Sequence, residues 1–382
     1  MQDREVMFFL QSMNGFGKKT IQRLWDYFEC GKAVFEAPEK ELEKILLPAQ
    51  YKTFLWEREH KCPSEEIRRL KQRGIEYYSI FDEGYPKRLL QIADRPNGLF
   101  VRGELPDEGQ FTVSVVGTRK HSYYGEKQTR QFSRIIAEKG IPIVSGMAKG
   151  IDGIAQRTAL EYGGKTYAVL GCGVDICYPR ENERLFEQIP KCGGIISEYP
   201  PGTMPAAGLF PLRNRIISAL CDILLVMEAR EKSGTLITVD MALEQGKEIR
   251  VLPGRVDDVL SKGCNRLISQ GADILPCMEE FEKELDVLCE KYGKSGIRAS
   301  PQKDVNVRMQ DEKMDGGNHL SFIEKAVAAT LDYQPLSLNG IYEKLDMESK
   351  KRYSIQQVGI ALMELCMKNI ARQAGGNYYT RC

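Results

Sequence analysis

Between Ser79 and Leu288 the chain alternates short apolar runs with helix-patterned segments, and this alternation limits the possible folds more than any other feature. The apolar runs are Thr112–Val116, Pro142–Val144, Thr166–Leu170, Gly194–Ser197, Ile223–Met227 and Glu248–Leu252. The helical segments between them are Gly125–Lys139, Ile151–Tyr162, Glu181–Gln188, Leu212–Leu220 and Leu236–Gln245. Apart from Glu248–Leu252, the runs are mostly apolar at successive positions rather than alternate ones. That pattern belongs to strands buried on both faces, as in a parallel sheet covered by helices. Repeated βα units of this length imply a doubly wound α/β domain. Ligands of such sheets bind beyond the carboxyl ends of the strands, near the point where strand order reverses.

The loops expected at that rim are unusual. The second run leads into Ser145-Gly-Met-Ala-Lys-Gly-Ile-Asp152. A strand, a glycine-rich turn and a helix start form a ready anion site, because glycine lets the backbone approach and free amides point outward. The spacing is neither that of a Walker loop nor that of the dinucleotide fingerprint. Phosphate contact is therefore expected without nucleoside triphosphatase or dehydrogenase chemistry. Gly117-Thr-Arg-Lys120, Gly171-Cys-Gly-Val-Asp175, Tyr178-Pro-Arg180, Phe210-Pro-Leu-Arg-Asn-Arg215, Glu228-Ala-Arg230, Ser233-Gly-Thr235 and Pro253-Gly-Arg255 follow the other runs. Arg119, Lys120, Lys149, Arg180, Arg213, Arg215, Arg230, Lys232 and Arg255 then fall on or near one rim. The formal net charge is only +1, so a nucleic-acid reading requires such a local patch. A basic groove tracks a phosphate backbone, and Tyr123, Tyr124, Tyr178 and Phe210 add stacking faces for bases. A plainer reading pairs about half of these cations with Asp152, Asp175, Glu198 and Glu228 and packs the aromatics inward. The concentration of glycine plus Arg or Lys after nearly every strand favours the groove.

Residues 1–78 read as helical. Asn14-Gly-Phe-Gly-Lys-Lys19 lies between two helical stretches and is similar to a helix-hairpin-helix phosphate contact, or is simply a turn with two glycines. Residues 289–318 read as a polar linker. Residues 319–382 follow the order of a winged helix, with Ser354–Leu365 as its third helix. That helix carries Gln356, Gln357 and Glu364, which favours a protein-contact or dimer-support role over duplex reading. No apolar run reaches the roughly 18 residues that span a membrane. The eleven cysteines contain no CxxC pair, which argues for reduced thiols, a cytoplasmic protein and no zinc ribbon. Three widely separated histidines argue against a metal centre or a catalytic triad.

The motifs resemble, in order, those of the bacterial DNA-processing protein A family (DprA or Smf). They run from Tyr85-Pro-Lys-Arg-Leu-Leu90 and Pro96–Gly103 through Val116-Gly-Thr-Arg119, Ser145–Asp152, Gly171–Asp175, Tyr178-Pro179, Ser197-Glu198, Phe210–Ile216 and Ser233–Leu236 to Val251-Leu-Pro-Gly254. The resemblance implies an extended Rossmann-like domain that binds single-stranded DNA, forms homodimers and uses no cofactor. It also implies a RecA-type recombinase as partner, loaded onto incoming strands in natural transformation, with single-strand-binding protein as the coating to be bypassed. Carried over, the DNA-binding residues are Arg119, Lys120, Gly146, Lys149, Gly150, Arg180, Arg213, Asn214, Arg215, Ser233 and Thr235. A dimer face is expected near Asn265, Ile268 and Ile274. Gln156 stands where members usually have histidine, and Thr118 where serine is common. The rival reading is an enzyme, a nucleotide-binding or phosphoribohydrolase protein of the lysine-decarboxylase-like Rossmann class. It would need a second glycine beside Ser233-Gly-Thr235 and a downstream catalytic carboxylate, and here Glu244 lies further along. No carboxylate pair or activated nucleophile completes such a site, and a non-enzymatic mediator is expected.

Overall fold

Strands buried on both faces organise the computed structural model, which describes residues 1–291, 320–331, 336–368 and 370–381. It divides into two units, Met1–Asp304 and Val305–Cys382. The strands of the first unit are β1 (Ile75–Ser79), β2 (Gly98–Gly103), β3 (Val113–Val116), β4 (Ile143–Ser145), β5 (Thr166–Leu170), β6 (Gly193–Ser197), β7 (Ile223–Val226), β8 (Glu248–Val251) and β9 (Asp273–Ile274). They form one sheet in the order β1-β2-β6-β5-β4-β3-β7-β8-β9. The seven strands from β6 to β9 in that order are parallel, and β2 joins antiparallel to both β6 and β1. Strand order reverses between β3 and β7, so the loops after these two strands flank the expected crevice.

The helices of this unit are α1 (Asp3–Ser12), α2 (Lys18–Phe28), α3 (Gly31–Phe35), α4 (Glu39–Ile45), α5 (Pro48–His60), α6 (Pro63–Gln72), α7 (Lys87–Leu90), α8 (Tyr123–Glu138), α9 (Ile151–Glu161), α10 (Glu183–Gln188), α11 (Leu209–Ala219), α12 (Gly234–Glu244), α13 (Lys262–Ser269) and α14 (Met278–Lys291). Successive strand side chains point to opposite faces. Val113 and Val115 meet Phe132 and Ile136 of α8, Ala155 of α9 and Phe281 of α14. Val116 and Val226 meet Ile216 and Ile217 of α11 and Val239 of α12 on the other face. The result is a mixed α/β fold around a large parallel sheet, as the apolar runs imply.

The boundary expected after residue 78 falls inside β1, because Ile75 and Tyr77 are buried against the sheet side of Phe8 and Phe100. The middle of helix α1, Val6–Leu10, is apolar and buried all round: Phe8 packs edge-on to Tyr77 at 5.2 Å, while Phe9 serves the helical cluster through Phe35 and Phe54. A helix buried on opposite sides has no solvent face to mark, and here it joins the N-terminal helices to the sheet. Helix α14 runs past the expected end at 288, with Phe132 and Phe281 in edge contact at 5.1 Å. The linker expected over 289–318 lies, from 292 onward, outside the described residues.

The second unit contains α15 (Phe322–Thr330), β10 (Leu336–Ser337), α16 (Leu338–Lys344), α17 (Met347–Arg352), α18 (Ile355–Met367), β11 (Ala371–Gly375) and β12 (Tyr378–Arg381). Each helix begins on a capping side chain: Ser321, Ser337, Asp346 and Ser354 each accept a bond from the amide three residues on. Such caps satisfy donors that a helix leaves open. Val327, Ile341, Val358, Leu362 and Leu365 form its core beside the three-stranded sheet β10-β12-β11.

Candidate nucleic-acid interface

The rim is assembled by backbone contacts between loops. The Ile151 amide donates to the Thr118 carbonyl at 3.2 Å, joining the loops after β3 and β4. Gly150 has φ +77°, and a Cβ there would lie 2.4 Å from the Thr118 oxygen. Only glycine permits this approach. The Thr118 amide in turn donates to the Glu228 carbonyl at 2.9 Å, tying in the loop after β7. The buried Glu228 carboxylate accepts from the Ser122 amide at 2.9 Å and from the Ser122 hydroxyl, which itself caps α8. Burial raises the Glu228 carboxyl above its usual range, against the pull of those bonds. Glu228 thus braces the start of α8.

Two amides of the glycine-rich turn are bonded within the chain. The Gly146 amide donates to Asp152 Oδ2 at 3.2 Å and the Met147 amide to Gln156 Oε1 at 3.0 Å. Asp152 and Gln156 lie four apart on α9, one turn apart on the same face, and both reach back to the turn. The chain's own carboxylate and amide occupy the place of an anion. Met147 sits at φ +52° and is fully buried, so its side chain and the Gln156 bond hold a backbone form that residues other than glycine rarely adopt. Gln156 is fully buried and donates onward to Thr166 Oγ1 at 3.2 Å and the Tyr167 carbonyl at 3.1 Å. Gln156→Leu would strand the buried Met147 amide and Tyr167 carbonyl. It is expected to lower stability by about 2–3 kcal/mol, read as a fall in the urea midpoint.

Arg213 and Arg215 are also turned inward. Arg213 donates to the Gly146 carbonyl at 2.8 Å and to the Val169 carbonyl, and its Nε donates to Asn214 Oδ1 at 3.1 Å. Burial pushes its guanidinium down to about 10, against the attraction of Asp152. Arg215 holds both carboxylate oxygens of Glu198 at 2.8 Å and reaches Asp94 at 2.9 Å. Arg213 and Arg215 are thus buried and bonded within the chain, while Asn214 is half-buried and accepts from Arg213 Nε. Gly146 and Gly150 shape the turn. Thr235 is buried, and the Ser233 hydroxyl is shielded from solvent on the loop after β7.

Four expected cations remain on the outside around one place. Arg119, Lys120, Lys149 and Arg180 are exposed. Arg119 lies 5.6 Å from the centre of the Phe210 ring, and Phe210 lies 5.4 Å from Tyr178 at an interplanar angle of 30°. Asn182 ties the Arg180 segment to the turn by donating to the Met147 carbonyl at 2.9 Å. Lys149 is paired with the exposed Glu181. Arg119, Lys120 and Arg180 have no ion pair among the described residues. Of the more distant cations, Arg255 pairs with Asp257 at 3.2 Å, while Arg230 and Lys232 are exposed. Three of the nine cations, Lys149, Arg215 and Arg255, are thus ion-paired among the described residues, fewer than the half of the plain expectation, and of the four proposed acids Glu198 takes one of them. Asp175 instead pairs with Arg73 at 3.3 Å and accepts from the Gly202 amide at 2.8 Å.

The three residues of the expected dimer face separate. Asn265 clamps the Gly254 amide at 3.1 Å and carbonyl at 3.0 Å, and Ile268 packs against the main core. Both are half-buried, so of the three only Ile274, on the edge strand β9, presents an exposed side chain. The sequence reading missed the acceptors Asp152 and Gln156. Their signal was the four-residue spacing at the start of the helix that follows a glycine turn.

Comparison with known proteins agrees with this frame. The profile of DNA recombination-mediator protein A matches residues 76–286. Protein Smf of Escherichia coli is 45% identical over 204 residues, covering 53% of this chain and 54% of that protein. Protein Smf of Synechocystis is 35% identical over 283 residues, covering 72% of this chain and 71% of that protein. The X-ray structure of DNA processing protein A from Streptococcus pneumoniae covers 74% of this chain and 99% of that chain, with 33% identity and a TM-score of 0.62. A structure concerned with the single-stranded DNA binding mode of DNA processing protein A from Helicobacter pylori covers 55% of this chain and 96% of that chain, with 31% identity and a TM-score of 0.50. With its motifs in order, its sheet of matching form and more than half its length under one profile, the chain belongs to the DNA recombination-mediator protein A family.

Proposed function

We propose that this chain binds single-stranded DNA along the rim and acts as a non-enzymatic mediator that loads a RecA-type recombinase onto the strand. The carrying observation is the cluster of Arg119, Lys120, Lys149 and Arg180 around Tyr178 and Phe210 beside the reversal of strand order. Cations track a phosphate backbone without reading sequence, and aromatic faces stack any base. The DNA-processing relatives and the single-strand binding described for the Helicobacter pylori protein support this reading. In that role the incoming strand of natural transformation is the substrate, single-strand-binding protein the coating bypassed, and the cytoplasm the place of action. A homodimer would bring two rims together and raise avidity, with Ile274 the exposed residue of the expected face.

The helices α15–α18 and the sheet β10-β12-β11 of the second unit support a winged-helix reading. Ile360, Met363 and Met367 are exposed on α18, an apolar stripe that suits protein contact better than a DNA groove. The phosphoribohydrolase alternative gains no support. Glu244 ends α12 whereas Ser233–Thr235 begin it, which separates them by about 15 Å along the axis.

Fluorescence anisotropy with a labelled thymine oligonucleotide and a matched duplex tests the binding. Preference for the single strand, weakening as salt rises, is the expected result. Absence of binding at low salt would remove the rim reading. Loading is then tested by recombinase filament formation on a strand coated with single-strand-binding protein, where faster nucleation is expected.

A further inference from the structure

The basic turn between α1 and α2 is outside the rim cluster. Lys18, Lys19, Gln22 and Arg23 of α2, with Asp94, line an open cavity of about 610 Å³. Three cations face one anion there, and that anion is already committed. Asp94 pairs with Lys18 and, at 2.9 Å, with Arg215. Lys19 and Arg23 have no ion pair among the described residues. The turn that presents them is braced: Phe16 is buried, and Gln50 donates to the Gly15 carbonyl at 2.7 Å and to Thr20 Oγ1 at 3.1 Å. An aromatic surface lies on the same helix. Trp25 stacks on Phe81 at 5.0 Å and 24°, and Phe81 is 43% exposed.

This cavity is joined to the rim through the ion-pair chain Lys18–Asp94–Arg215–Glu198. Glu198 directly follows β6, and Arg215 shares α11 with Phe210. Five residues of helix, about 7.5 Å along the axis, separate the Phe210 position from that of Arg215. The chain thus places the cavity beside α11, the helix that carries Phe210.

We propose that Lys19 and Arg23 form a second phosphate-binding stretch for the same single strand, extending the track beyond α11. The proposal rests on the rim reading and adds a length requirement to it. A short oligonucleotide fills only the rim, and a longer one also reaches the cavity.

The test is a Lys19→Ala/Arg23→Ala variant, which spares the Lys18–Asp94–Arg215 pairs. Binding of thymine oligonucleotides of about 6 and about 25 nucleotides, within and beyond the usual single-module site size, is measured across a salt series. For the longer strand the slope of log affinity against log salt is expected to fall by about 1.4, with roughly 20-fold weaker binding near 0.1 M salt. Short-strand binding is expected to stay unchanged. Unchanged long-strand affinity and slope would overturn the proposal, as would equal losses at both lengths or a loss confined to duplex. Loss of short-strand binding in an Arg119→Ala/Arg180→Ala variant tests the rim separately. If the unsubstituted chain binds neither length, the rim reading falls and this extension with it.

Discussion

Arg213→Leu is expected to destabilise the first unit by about 3 kcal/mol or more, with a melting temperature several degrees lower, and to weaken DNA binding only as a consequence. The side chain is 4% exposed and its guanidinium bridges two carbonyls, that of Gly146 in the turn and that of Val169 in β5. Leucine leaves both oxygens buried without donors, at roughly 1–3 kcal/mol each. Relief from burying a charge offsets part of this loss, which the depressed guanidinium, at about 10, makes a real contribution. The turn is also held by Asp152 and Gln156 from the other side, so the damage is local before it is global. Thermal unfolding followed by circular dichroism measures it. An unchanged melting temperature with lost DNA affinity would return Arg213 to the role of a direct contact.

Arginines two apart on one helix show why the fold was more legible than the site. The parallel strands announce themselves because both faces are buried: Ile223–Val226 is an unbroken apolar run, and Val113–Val116 is interrupted only by the buried Ser114. The antiparallel edge strand β1 alternates buried Ile75, Tyr77 and Ser79 with half-buried Glu76 and Tyr78, and it merges with the preceding helical pattern. Strand β9 has only two residues, too few for any periodicity. Helix α14 does carry a signal, with Phe281, Leu285 and Leu288 at helical spacing. At the site, residue types at the strand ends marked Arg119, Lys120, Lys149 and Arg180, which are exposed. They did not reveal which cations face inward, because the deciding partners are distant in sequence. Asp94 is 121 residues from Arg215, and Gly146 is 67 from Arg213. The glycine-rich turn is a related case: its amides suit an acceptor, and the Gly146 amide meets the chain's own Asp152.

With the inward arginines set aside, Arg119→Ala/Arg180→Ala is expected to cost at least 20-fold in single-strand affinity near 0.1 M salt while leaving the melting temperature within about one degree. Each phosphate contact on a single strand contributes about 0.7 to the salt slope, which corresponds to about fivefold per cation at that concentration. Both side chains are exposed and neither has an ion pair among the described residues, so their loss strands no buried partner and the fold is spared. Arg119 also lies over the Phe210 ring at 5.6 Å. Its removal therefore changes the aromatic face as well, and the observed loss is expected to exceed the purely ionic figure. Phe210→Ala separates the two effects. Base stacking is worth roughly 1–3 kcal/mol per base and carries no counterion release, so this variant is expected to weaken binding with an unchanged salt slope. Anisotropy across a salt series reads both quantities. A double variant that keeps full affinity and slope while remaining folded would show that the strand runs elsewhere on the molecule, and the rim cations would then be a solvated edge.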